Sequence, residues 1–313
     1  MAKKIVNTLD LTYEDWLKYR QIGIGGSDAG AIAGLNPWKS PLGVYVDKVS
    51  PEAKGIPDNE RMRIGRDLED YVAKRFEEDT GKKVRRNNFM MQHEEHDFMV
   101  ANVDREVVGE NAVLECKTTN SYAKKDWEDG NIPIHYELQV HHYMAVGGYD
   151  KGYIAVLIGN EKFVWKEIPR DEEIINYLIE IEKHFWEEYI EKGNIPPADG
   201  SDDYSNILKE KYRGGLEEEV SLDIDQDEVN RLFQLKAMEK ETKAQIKQIE
   251  QVIQKEMKDY QGAIVGPHKF TWKPQTRNSF DSKEFKKDYP ELYEKYTKQT
   301  ELRVFRSKQG EDL

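Results

Sequence analysis

Cysteine is nearly absent from this 313-residue sequence: Cys116 stands alone. One thiol excludes an intrachain disulfide framework and any metal cluster built from several cysteines of one chain. Long hydrophobic runs are missing as well. No stretch approaches the roughly 20 apolar residues of a membrane span, and the opening MAKKIVNTLDLTYEDWLKYR has no apolar signal core, so a cytoplasmic protein with no membrane partner is expected. Positive charge is in deficit, with 47 Lys and Arg against 60 Asp and Glu, a net charge of -13. Such a body does not coat nucleic acid non-specifically, although a narrow basic channel is compatible with an acidic exterior. The deficit is uneven: Gly266 to Lys308 carries 11 Lys and Arg against 6 Asp and Glu. Internal repeats and low-complexity tracts are absent too.

What is present reads as one α/β domain followed by smaller parts. LTYEDWLKYRQIGIGGSDAGAIAGLNPW predicts a helix to about Arg20, a glycine turn, and a short helix capped by Ser27 or Asp28 and ended by Pro37. After a Pro-, Gly- and Lys-containing connection, Ile64, Leu68, Tyr71 or Val72, and Phe76 recur at helical spacing, and Gly81 closes the run. Strand character follows at Phe98 to Val103 and Ala112 to Lys117, with GEN as the turn. HYELQVHHYMAV puts Tyr136, Gln139, Val140 and Tyr143 on one helical face, and GYIAVLIG and KFVWKEI predict a hairpin. A helix from about Glu172 to Lys192 completes the unit, and GNIPPADGSDD has linker composition. The expected division is a domain over 1–200, a linker and long helical arm over 201–262, and a small α+β module over 263–313. In the arm, Leu232, Leu235, Ile246, Ile249, Ile253 and Tyr260 hold heptad positions interrupted by Glu239 and Thr242, which suits a self-associating arm or a helical hairpin. The tail suggests two strands, a helix and a strand.

The chemistry sits in VDREVVGENAVLECKTT. Side chains alternate along a strand, so Glu115 and Lys117 share one face while Leu114 and Cys116 share the other. A magnesium site for phosphodiester hydrolysis wants one or two carboxylates, a main-chain oxygen and several waters. Asp104 and Glu115, on adjacent strands, suit it; the carbonyl of Cys116 can join them, and Lys117 lies where it can orient an attacking water or steady developing charge. The bland alternative is a cross-strand ion pair of little energetic worth, because D-x10-E-x-K alone arises often by chance. Glu69 beside one apolar stripe and Gln139 within another add polar groups on surfaces expected to pack on the sheet.

GRDLEDYVAKRF, ANVDREV, LECKTT and YELQVHHYMAV, in this order, resemble the PD-(D/E)XK nuclease core, most closely the YqaJ-like viral recombinase branch typified by lambda exonuclease. The resemblance spans about residues 12 to 195, with Val103 where the family often has Pro. It implies a restriction-endonuclease-like core, a mixed central sheet flanked by helices. It further implies that Glu69, Asp104 and Glu115 hold the metal, that Lys117 is the catalytic lysine, and that Gln139 and Tyr136 lie at the site's edge. By the same resemblance Arg20 and Ser27 dock the 5′-phosphate of a DNA end. On residue chemistry alone Ser27 is equally a helix cap. The family's activity is 5′-to-3′ digestion of one strand of linear double-stranded DNA with two Mg2+ ions, Mn2+ being chemically acceptable. Its setting is a bacterial cell, phage or prophage encoded, with a single-strand annealing protein as partner and a ring-shaped homo-oligomer such as a trimer. The rivals are an endonuclease on the same core and a non-catalytic adaptor for DNA ends or annealing proteins.

Other motifs carry less. In GIGGSDAG, Ala31 stands where a nucleotide-binding loop needs Lys, so ATP binding of that kind is not expected, although helix-start amides still attract anions. HEEH at His93 to His96 lacks zinc spacing, and of adjacent His141 and His142 at most one can face the site. Four-cysteine iron-sulfur nuclease chemistry is excluded. The tail's Phe270, Trp272, Arg277, Lys286, Lys287, Tyr289, Tyr293 and Tyr296 can grip nucleic acid or simply form a small core.

Overall fold

A computed structural model describes residues 2–51, 59–300 and 303–310. Two compact units divide the chain, residues 1–211 and 212–313. The first opens with strand β1 (Lys3–Asn7) and helices α1 (Tyr13–Gln21), α2 (Gly26–Ile32), α3 (Pro41–Val49) and α4 (Glu60–Thr80). Strands β2 (Val84–Arg86), β3 (Phe89–Gln92), β4 (Val100–Ala101), β5 (Arg105–Val107) and β6 (Ala112–Thr119) follow, then α5 (Ile134–Gly147), β7 (Lys151–Ile158), β8 (Lys162–Pro169), α6 (Glu172–Phe185) and α7 (Asp202–Lys211).

The main sheet has the order β2-β5-β6-β7-β8, antiparallel except where β6 runs parallel to β7. Parallel strands need a crossover, and α5 provides it. β7 reads KGYIAVLI because it is covered on both faces, which favours a continuous apolar run. On one face Val113, Ile154 and Val156 pack with Val140 and Met144 of α5. On the other Leu114, Tyr153 and Ala155 pack with Val72 and Phe76 of α4. α5 approaches β7 so closely that a Cβ on Gly152 would stand 2.2 Å from Val140 Cγ1, so only glycine fits there. Strands β1, β3 and β4 make a second, antiparallel sheet.

Several details differ from the sequence-based expectations. The cap of α2 is Gly25, with Asp28 at its third position accepting from the Gly25 N–H, and Ser27 caps nothing. The helix stops at Ile32, where Gly34 at φ +70° turns the chain before Pro37 is reached. On α4 the buried stripe is Val72, Ala73 and Phe76, while Ile64 and Tyr71 are exposed. The strand expected from Phe98 to Val103 is only β4, and the chain bends before β5. The connection ahead of α4 falls mostly on 52–58, outside the described residues. α6 runs on through a π-helical turn, Trp186–Glu191. The first unit extends past residue 200 because α7 is tied back: Asp203 Oδ2 accepts from the Ser40 N–H at 2.8 Å and from its hydroxyl at 2.7 Å.

The second unit contains α8 (Gln226–Met257), the hairpin β9 (Gly262–Val265) and β10 (His268–Thr271), α9 (Ser282–Asp288) and α10 (Pro290–Tyr296). α8 is one unbroken helix of 32 residues, about 48 Å long at 1.5 Å per residue, so the arm is not a hairpin, and Tyr260 lies beyond its end. No strand forms at 303–307 among the described residues. Phe285 of α9 packs on Phe280 and Tyr289 at ring-centroid distances of 4.9 and 5.4 Å. No described helix is long and apolar enough to cross a membrane.

Candidate active site

Pairing of Arg105 with Leu114 and of Glu106 with Val113 sets the register of β5 on β6, so Asp104 arrives beside Glu115. Asp104 Oδ2 accepts from the Cys116 N–H at 2.8 Å. Both polar groups of a strand residue point to the same side, so the Cys116 carbonyl also faces Asp104. Its thiol packs on the opposite face with the Leu114 cluster, and burial, then Asp104 and Glu115, push it well above the usual thiol range.

Glu115 is buried, and its two oxygens fare differently. Oε1 lies 2.5 Å from Lys117 Nζ and accepts from Gln139 Nε2 at 2.8 Å. Oε2 is buried with no partner. Gln139, about one turn after Tyr136 on α5, uses its whole amide: Nε2 also donates to Tyr143 Oη at 2.8 Å, and Oε1 accepts from Lys117 at 3.1 Å. Lys117 Nζ also sits 4.8 Å above the Tyr136 ring, a favourable cation–π placement. Burial favours its neutral amine, yet Glu115 and Asp104 outweigh burial and raise its pKa. It is therefore an ammonium at neutral pH. Asp104 is pushed well above the carboxylate range by burial, then by Glu115 and Glu69, which Lys117 and the Cys116 N–H offset only in part.

Glu69 comes from α4, on the other face of the sheet, and pairs with Arg105 at 2.5 Å. Arg105, nearly buried, is also 2.5 Å from Asp70, so it keeps a partner without Glu69. Among the described residues no three His, Cys, Asp or Glu side chains form a ready-made metal cage. The donor set still fits a hard divalent cation such as Mg2+ or Mn2+: Asp104, the orphaned Glu115 Oε2 and the Cys116 carbonyl are all oxygens, with water free to complete the shell. Glu69 would join only by leaving Arg105.

A cleft of about 230 Å³ brings the predicted anion-binding pair to the same place. It is lined by Asp104, Glu115, Gln139 and Tyr143 and also by Arg20, Ser27, Trp16 and Lys48. Arg20 donates to the Ser27 hydroxyl at 3.3 Å and lies 5.0 Å from the Trp16 ring. α2 fits closely there: a Cβ on Gly26 would meet Tyr143 Cε1 at 2.5 Å. Tyr136 is half-buried beside Lys117 and is not part of this lining.

Lys48 in the cleft lining and its buried partner Asp28 carry no functional signal in the sequence. Asp28 is buried and lies 2.8 Å from Lys48 Nζ and 2.9 Å from Lys39 Nζ. Burial alone would raise its pKa, but Lys48, Lys39 and Arg20 hold it well below the carboxylate range. Lys48 had no sequence signal, being one lysine on a short helix. His141 and His142 are both buried and neither lines the cleft; His142 lies 2.9 Å from Glu182 Oε1 and 2.9 Å from the Val100 carbonyl. His93 accepts from the Glu95 and His96 N–H groups in a turn.

Comparison with solved structures agrees with this architecture. An alkaline exonuclease (LHK-Exo) from Laribacter hongkongensis superposes with a TM-score of 0.50 at 17% identity, covering 63% of this chain and 98% of that one. The same enzyme in complex with dAMP gives 0.50 at 18%, covering 63% and 97%. The central mixed sheet flanked by helices is thus the PD-(D/E)XK fold. At the sequence level the uncharacterized protein YqaJ of Bacillus subtilis (strain 168) is 41% identical over 309 residues, 97% of each chain. The profile of the YqaJ-like viral recombinase domain matches residues 15–150, the stretch that holds Arg20, Ser27, Asp104, Glu115, Lys117 and Gln139. The chain belongs to the YqaJ-like viral recombinase family.

Proposed function

We propose that this protein is a metal-dependent 5′-to-3′ exonuclease that digests one strand of linear double-stranded DNA and leaves a 3′ single strand. The observation that carries the reading is the shared cleft: cations suited to a terminal phosphate and carboxylates suited to a divalent ion line one small cavity. That cavity is below the roughly 300–1,000 Å³ of drug-sized pockets, so it accommodates the end of a strand better than its length. The fold neighbour LHK-Exo is an alkaline exonuclease, and one of its structures holds dAMP, which supports the same class.

In this reading Asp104, Glu115 and the Cys116 carbonyl would hold the ion, and Glu69 could join them only by leaving Arg105, which Asp70 would keep paired. Two ions in such a site supply Lewis-acid stabilisation of the phosphate and a nucleophilic water at neutral pH. Lys117, an ammonium in the metal-free protein, donates hydrogen bonds and positive charge to the attacking water or the developing phosphorane. Gln139 fixes the rotamers of Glu115 and Lys117 at once. Tyr136 packs on the far side of the Lys117 ammonium, and Arg20 and Ser27 hold the terminal phosphate. The family description, viral recombinase, supports a role in phage-type recombination in which an annealing protein takes up the 3′ strand and a ring-shaped oligomer encircles the duplex.

The test is release of nucleotides from linear duplexes with Mg2+, comparing 5′-phosphorylated ends, 5′-hydroxyl ends and closed circles. Loss of the 5′-labelled strand from open ends only, fastest with phosphate, is the expected result. Cleavage of closed circles would replace the reading by an endonuclease, and no cleavage with intact DNA-end binding by an adaptor.

A further inference from the structure

Lys48 is a buried cation that the proposed chemistry leaves unused. It stands in the last turn of α3 with its side chain only 4% exposed, and it lines the same cleft as Arg20 and Ser27. An ammonium has three N–H groups. One is directed at Asp28 Oδ2, 2.8 Å away, and one donates to the Arg20 carbonyl at 2.7 Å. Asp28 must serve two ammoniums, since Lys39 Nζ is 2.9 Å from its other oxygen. Lys39 has a second carboxylate, Asp47 at 2.8 Å, and its pKa is raised because Asp28 and Asp47 outweigh burial. Among the described residues Lys48 pairs with Asp28 alone, and burial, with the Arg20 and Lys39 charges, leaves its pKa lowered despite Asp28. Arg20, Lys39 and Lys48 against Asp28 and Asp47 leave one positive charge in excess.

We propose that Lys48, oriented by Asp28, joins Arg20 and Ser27 as a third contact for a terminal phosphomonoester, and so makes the protein select phosphorylated strand ends. The inference rests on the nuclease reading for its substrate, but its geometry is independent of the carboxylates. A phosphomonoester carries a charge of about -1.5 to -2 at pH 7 and three strong acceptor oxygens, whereas an internal diester carries one charge. A guanidinium fork, an ammonium and a hydroxyl offer donors to all three terminal oxygens. Asp28 acts through Lys48 and is a positioning residue.

The experiment uses the full chain as wild type, Lys48→Met, Lys48→Arg and the double variant Asp28→Asn/Lys48→Met. The double variant removes both buried charges together, so a folded form is available if Lys48→Met alone leaves Asp28 under-partnered. Calorimetric binding of a 5′-phosphorylated and a 5′-hydroxyl tetranucleotide is measured in chelator, with folding checked by circular dichroism. Wild type is expected to prefer the phosphorylated probe, Lys48→Met and the double variant to lose about tenfold of that preference, the scale of one charge-assisted contact, and Lys48→Arg to recover most of it. A folded Lys48→Met or double variant with the wild-type ratio overturns the proposal, as does a wild type that binds both probes equally. Cleavage of linear duplexes by the same samples separates the two readings. Phosphate-selective binding that depends on Lys48, with no cleavage by wild type, leaves the Lys48 site standing and removes the nuclease.

Discussion

Replacing Asp104 by asparagine should stabilise the metal-free protein while abolishing its cleavage of DNA. The folded-state pKa of Asp104 lies well above its ordinary value because of burial, Glu115 and Glu69. The sign follows from linkage: below the unfolded pKa of about 3.9 the carboxyl is neutral in both states and nothing is lost, and the penalty grows as pH rises through the folded pKa. Each pKa unit is worth about 1.4 kcal/mol. Asparagine keeps an oxygen for the Cys116 N–H, so the exchange costs at most about 1 kcal/mol in hydrogen-bond strength. Any shift beyond one unit therefore leaves a net gain. The first unit spans residues 1–211, a size at which 1 kcal/mol moves the Tm by about 2–4 °C. Differential scanning calorimetry in chelator at pH 7.5 should show Asp104→Asn melting above wild type, with the gap closing toward pH 4. Added Mg2+ should reverse the order, because only the wild type keeps both carboxylates for the ion. A variant that melts at or below wild type at pH 7.5, or a gap that widens on acidification, would refute the reasoning.

Lys117→Met should lower the cleavage rate by about 10²–10³, the usual loss when one donor to a developing charge is removed, with duplex binding retained in a filter assay; near-normal turnover would remove Lys117 from the mechanism. Gly30→Ala places a Cβ 2.8 Å from His135 Cβ and 3.0 Å from its Cα. Overpacking of that kind costs about 1–3 kcal/mol, and because α2 carries Ser27 and α5 carries Gln139, nuclease rate should fall together with Tm. His142→Gln breaks a fully buried contact with Glu182, at about 3–5 kcal/mol. Burial lowers the His142 pKa, but Glu182 and the Val100 carbonyl outweigh it and raise it. The stabilisation is thus complete below about pH 6.5 and lost as pH rises through the folded pKa, so urea titrations should find the variant's deficit larger at pH 6 than at pH 9. Glu69→Gln should lower activity at saturating Mg2+ with little change in Tm, since Asp70 keeps Arg105 paired; the opposite pattern would make Glu69 purely structural.

How much of this was legible depends on where each partner lies. Period-two alternation on β6 separates Glu115 and Lys117 from Leu114 and Cys116, and the two faces indeed meet α5 and α4 respectively. Helical period places Gln139 and Tyr143 one turn apart, and both reach the cleft. These signals are local, so the sequence carries them. α2 stops earlier than Pro37 suggests because Gly34 at positive φ acts first. The extent of β4 was overestimated because an apolar run cannot show where the chain bends to deliver Asp104. Asp28 looked like a cap, and Lys48 like any surface lysine, because their meeting is made by packing α3 against α2 across 20 residues of sequence. The long helix was legible as an apolar period, but whether it folds back on itself is not encoded in the period.

The same buried aspartate bears on why the cleft stays open. Arg20 and Lys48 share a small cavity with Asp104 and Glu115, and opposite charges in a partly desolvated space attract strongly. Unrestrained, the cations would fold onto the carboxylates and fill both sites. Asp28 takes up Lys48 and Lys39, and Ser27 and the Trp16 ring hold Arg20. On the other side Lys117 alone compensates Glu115, which leaves Oε2 unpartnered and Asp104 hard to ionise. Each half therefore keeps capacity of its own kind, an excess positive charge where a phosphate is proposed to bind and unspent carboxylate oxygens where a divalent cation is proposed to bind. Neutralising Asp28 alone would leave Lys48 without its carboxylate partner, so an aspartate that would touch neither proposed ligand bears on the charge of the cleft that both would share.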